Sequence, residues 1–150
     1  MGTRTFILAV ALGALAITTG CAKQADTYEG AWTADEVSAL NDGFAEWQAE
    51  LPPALVIRRV EGACDEDDAL GEGSVKYGQV EGPVVTFWVD CAAAHGVSLE
   101  RVAAHEAGHL LGLAHQPTGS PPSIMRAAAH EQTLEPTDFD RANAAEASRP

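Results

Sequence analysis

Between positions 105 and 115 the chain reads His-Glu-Ala-Gly-His-Leu-Leu-Gly-Leu-Ala-His, placing three imidazoles, one carboxylate and two glycines within eleven residues. On a helix, side chains four apart project from one face, one turn above the other, so His105 and His109 can both reach a single metal ion. Glu106 stands about 100° round that helix from His105, beside the ion and placed to handle a proton. Gly112 can take the left-handed conformation that ends a helix, turning the chain so that His115 returns as a third ligand. Three neutral imidazoles leave one tetrahedral position open for water, which is the arrangement of a catalytic zinc site. Histidines at HExxH spacing alone arise by accident in ordinary helices; the added Gly112 and His115 single out a metal site.

The elements that must position these groups can be read around them. Leu99, Ala103, Ala107 and Leu110 fall on the side opposite His105 and His109, so the helix can pack one face into a core and turn the other to a cleft. Thr33-Ala34-Asp35-Glu36 has the form of a capping box, and Val37, Leu40, Phe44, Trp47 and Leu51 recur at alternating steps of three and four. That pattern predicts an amphipathic helix ended by Pro52-Pro53, with a stripe that is simply core. Residues 55–60 and 84–89 read as strands, the second apolar enough to be central. Residues 74–80 are weaker and more polar, which predicts an edge strand. Thr137 stands at an N-cap position for a short closing helix through Phe139, Ala142, Asn143 and Ala145.

HEAGHLLGLAH is similar to the metzincin signature HExxHxxGxxH, and Ser123-Ile124-Met125, with Met125 ten residues beyond His115, resembles the Met-turn beneath the zinc in that clan. Within the clan the chain resembles the matrixins. The stretch 35–47 is similar to the first helix of a matrixin catalytic domain, and the resemblance covers residues 32–142, with its specific part at 105–125. Gln116 stands where typical matrixins carry Ser, Met125 lies two residues further on than the family pattern, and no cysteine-switch propeptide is visible. The resemblance implies an α+β fold of metzincin-like, zincin-like type: a small twisted mixed sheet, a backing helix, the zinc-binding helix, the Met-turn and a C-terminal helix. It implies Zn²⁺ held by His105, His109 and His115, Glu106 as general base, and Met125 as a packing residue under the imidazoles. It further implies a protein or peptide substrate clamped in extended form against the edge strand at 74–80, with residues 126–132 lining the lower side of the cleft.

Length and charge narrow the partners. A chain of 150 residues is one domain's worth, and a monomer is expected. The formal net charge is −13, which argues against nucleic acid or anionic lipid as an electrostatic partner. Residues 1–5 carry one positive charge, residues 6–17 are uncharged and apolar, and Thr18-Thr19-Gly20-Cys21 follows. This predicts a signal peptide over residues 1–20, too short in its apolar part for a permanent span. The pattern resembles a lipobox, which makes Cys21 the lipidated N-terminus of an exported protein anchored at the outer membrane or cell surface; simple secretion is the alternative. Residues 21–32 then read as a tether, and residues 33–150 as the catalytic domain.

With Cys21 set aside, Cys64 and Cys91 most simply pair in an exported chain, the sharper alternative being a thiolate that caps the zinc in a latent form. Asp65 to Asp68 with Glu72 offer oxygen ligands that suit Ca²⁺, although a solvated acidic loop is the simpler reading. His95 and His130 have no partner at metal-ligand spacing. Two functions of different classes remain open. One is a zinc endopeptidase; the other is a surface lipoprotein that binds zinc or a peptide without catalysis. Glu106 separates them, since holding zinc needs only the three histidines while hydrolysis needs a base.

Overall fold

In the computed structural model, residues 25–62, 64 and 75–149 are described. Residues 1–20, expected to form a signal peptide, Cys21 and the acidic run at 65–68 with Glu72 lie outside the described residues. Four strands form one mixed sheet in the order β1 (Thr27–Glu29), β2 (Val56–Val60), β4 (Val84–Trp88), β3 (Gly78–Glu81). The first three run parallel and β3 pairs antiparallel with β4 at the edge. β1 corrects the tether expected across residues 21–32. Its pairing with β2 uses backbone groups, which any short segment can offer, and three residues are too few to show a period. The expected edge strand is present, but begins at Gly78 and not at residue 74.

α1 (Ala34–Ala45) crosses between β1 and β2. Its start is set by the capping box, in which Thr33 accepts from the Glu36 backbone while Glu36 accepts from the Thr33 backbone at 2.8 Å. Its end falls earlier than Pro52-Pro53. Gln48 has a φ of 51°, and the chain leaves the helical path before the prolines. Trp47 and Leu51 still reach the core, from the irregular segment that follows. Arg59 on β2 binds Glu36 at 2.5 Å and Asp90 at 2.9 Å, tying the starts of two helices to the sheet.

The sheet buries Ile57, Val85 and Phe87 against Leu40 and Phe44 of α1 and against Ala103 and Ala107 of α3 (Leu99–Leu110). Each large side chain so buried contributes about 1.5–3 kcal/mol relative to exposure. α1 and α3 approach closely at Gly43, where a β-carbon would collide with the Glu100 carbonyl and Ala103. Trp47 completes the contact, its indole N–H donating to Ala104 O at 2.6 Å. α3 is therefore held by a helix on one side and the sheet on the other.

β4 runs without a loop into α2 (Val89–Ala94), a helix that no periodic pattern marks in the sequence. Cys91 on α2 is bonded to Cys64, closing a sequence separation of 27 residues. In a chain-entropy account this constraint on the unfolded state contributes roughly 3–4 kcal/mol. Neither sulfur is then available to cap the histidines. A 3₁₀ turn at Ala129–Glu131 and α4 (Asp138–Ala147) complete the fold.

Candidate metal centre and cleft

α3 carries His105, Glu106 and His109, and ends as its glycine predicts. Gly112 has a φ of 89°, Leu113 N donates to Gly108 O and Gly112 N to His109 O, each at 3.0 Å. These are the two bonds of a Schellman turn. The turn does more than reverse the chain, because the carbonyl it exposes at Leu113 accepts from His109 Nδ1 at 2.8 Å. His105 Nδ1 likewise donates to Ile124 O at 2.7 Å. Both imidazoles thus carry their proton on Nδ1 and present the Nε2 lone pair.

The three Nε2 atoms of His105, His109 and His115 form a triangle with each side 3.2 Å. With the protons of His105 and His109 on Nδ1, the side between those two has no hydrogen to hold it. Around a tetrahedral zinc with Zn–N near 2.0–2.1 Å, nitrogens lie about 3.3–3.4 Å apart, so the donor set fits that ion. Burial, with His109 next, drives His105 down to about 3, and burial also lowers His109. Neutral rings with converging lone pairs are what a metal requires.

Glu106 is only 4% exposed, and burial alone pushes its carboxyl up to about 8. A cation on the neighbouring imidazoles works in the opposite direction, favouring the carboxylate. Gly78 on β3 leaves room for this side chain; a β-carbon there would overlap its carboxylate.

Beneath the imidazoles lies the turn around Met125, wholly buried. Its sulfur occupies the space that a β-carbon at Gly108 would need, with Trp47 on the other flank. The turn is fixed by Asp140, the N3 residue of α4. One carboxylate oxygen accepts from the Ser123 hydroxyl in a short bond, and the other accepts from Ile124 N at 3.1 Å and Thr137 N at 2.8 Å. The same carboxylate therefore caps α4 and holds the segment whose carbonyl orients His105. Gln116 N donates to Met125 O at 2.8 Å, which ties the segment after His115 to this turn through its backbone.

A cleft of about 440 Å³ opens over the three imidazoles and Glu106. Gly78 and Val80 of the edge strand form one wall, and Ala127, Ala129 and Gln132 the other. Gln132 belongs to the stretch 126–132 expected to line the cleft. Its amide nitrogen donates to Arg126 O at 2.8 Å and its oxygen accepts from Arg101 Nε at 3.2 Å, bracing the wall against α3. His95 lies elsewhere, beside the disulfide.

The family model described as Matrixin matches residues 31–145 of this chain. No curated protein matches it.

Proposed function

Since the chain belongs to the matrixin family, whose members are zinc-dependent metalloendopeptidases, we propose that it cleaves peptide bonds in extended polypeptides with Glu106 as the general base. The observation that carries this is the 3.2 Å triangle of Nε2 atoms opening onto the cleft that Glu106 also lines. His105, His109 and His115 would hold a zinc ion, which when bound would supply Lewis acidity toward a carbonyl and lower the pKa of water toward 7. Glu106 accepts a proton from the attacking water and delivers it to the leaving amine. Among the described residues no strand pairs with the outer edge of β3, which offers backbone donors and acceptors on which a substrate adds as a further strand, with its scissile bond over the imidazoles. Gly78 lets that strand run close to the base.

Export and anchoring belong to the same proposal and rest on residues 1–21 alone. Acylation at Cys21 would contribute about 0.8 kcal/mol per buried CH₂ and confine cleavage to a membrane surface. Weighing the N-terminal peptide from a lipidating host tests it: an acylated Cys21 supports the anchor, and any other N-terminus refutes it.

The purified protein, incubated with a peptide library, should release fragments in a zinc-dependent manner, and a chelator should stop it. Glu106→Gln should retain zinc and lose cleavage by about 10²–10⁴-fold. Zinc-loaded protein that cleaves nothing across a broad library would favour a zinc- or peptide-binding role; a fully active Glu106→Gln would remove the base from its assigned place.

A further inference from the structure

The three imidazoles are not the only metal-ligating cluster among the described residues. Cys64 Sγ, Cys91 Sγ and a ring nitrogen of His95 all lie within 4.8 Å of one another. His95 Nδ1 is 3.9 Å from the first sulfur and 3.7 Å from the second. We infer that reduction of the Cys64–Cys91 bond opens a second metal site, in which two thiolates and His95 hold a thiophilic d¹⁰ cation such as zinc, with solvent in the remaining position. The disulfide and the metal are then alternative cross-links of the same two segments.

The placement follows from the fold. Cys91 and His95 are four apart across the end of α2, so both project toward the segment that carries Cys64. Cys91 is buried, Cys64 partly so and His95 exposed, which gives a site anchored in the core and reachable from solvent. Tyr77 packs edge-on against the His95 ring with centroids 5.7 Å apart and steadies its orientation. Two sulfurs and an imidazole form a soft donor set that selects zinc or cadmium over calcium or magnesium.

The chemistry balances. A dithiol reductant gives two electrons and two protons to the Sγ–Sγ bond, leaving two thiols and itself becoming a disulfide. Cation binding then releases the two thiol protons. In the oxidised protein His95 Nδ1 donates to Cys91 O at 2.9 Å; ligation through Nδ1 moves that proton to Nε2, which the exposed ring permits. The metal occupies the sulfurs and so resists re-oxidation until it is removed.

The test uses the full chain carrying Cys21→Ser, so that only Cys64 and Cys91 supply thiols, with cadmium as probe. Oxidised protein should take up cadmium without a thiolate-to-metal absorption band. Reduced protein should take up one more equivalent per chain than oxidised protein and develop that band, and His95→Ala should weaken this added binding at least about tenfold, the range seen when one support of a metal site is removed. If reduction unfolds the metal-free chain, cadmium should restore its circular dichroism spectrum. Absence of the band in folded reduced protein, a His95→Ala variant that binds equally well, or failure of cadmium to refold an unfolded reduced chain would each overturn the site.

Discussion

The backbone of Gly78 lies against the side chain of Glu106, so closely that a β-carbon at position 78 would stand 2.6 Å from Cγ of the glutamate. The edge strand and the candidate base therefore share one space, and the strand's smallest residue makes that possible. Gly78→Ala should push the carboxylate aside while leaving the three histidines untouched. Peptide cleavage should fall by about tenfold or more, since displacements near 1 Å at a reacting group are costly, with zinc content unchanged. Overpacking of this kind costs about 1–3 kcal/mol, so the melting temperature should drop as well. Wild-type cleavage by the alanine variant would show that the carboxylate can move without loss of function.

The buried Glu106 and His105 set a pH dependence for the metal-free protein. Glu106 is raised to about 8, so its contribution to stability is complete below its unfolded value near 4.5 and is lost as pH rises through 8. His105 is lowered to about 3, so its contribution is complete above its unfolded value near 6.5 and is lost as pH falls toward 3. Together they give a maximum between about pH 4.5 and 6.5. Between pH 6.5 and 8 the metal-free protein should lose on the order of 2 kcal/mol, and metal-free Glu106→Gln should not. Denaturant unfolding of both proteins in the presence of a chelator checks this; parallel pH profiles would contradict it.

Asp140 should prove a support of the metal centre although it is no ligand. Asp140→Asn places an N–H₂ group among donors from Ser123, Ile124 and Thr137, leaving at least one of them without an acceptor. A loss of about 2–4 kcal/mol in stability is expected from such a buried mismatch. Zinc affinity should weaken by about 10–100-fold, because the Ile124 carbonyl that orients His105 is no longer fixed. Competition with a chelator of known affinity measures it. Unaltered zinc affinity with lowered stability would confine Asp140 to capping α4.

What could be read directly from the chain was whatever side-chain spacing encodes. HEAGHLLGLAH carried the triad and its turn, and Thr33 and Thr137 marked where two helices begin. The remainder depends on groups that every residue possesses. The carbonyls of Leu113 and Ile124 orient two ligands, but no residue type announces a carbonyl that will point at an imidazole. β1 pairs through its backbone, and α2 follows β4 without the capping side chain that would mark it, since Trp88 makes no cap bond. Asp140 was hidden for a different reason: its local role as a capping residue and its distant role at the turn use the same carboxylate, and only the first is written in adjacent residues.

That double role sets an order of events in the assembly of the molecule. In a chain folding from its N-terminus, HEAGHLLGLAH is present well before residue 140, yet the turn that orients His105 lacks its Asp140 anchor until α4 docks. One support of the metal centre is thus put in place only at the closing step of assembly.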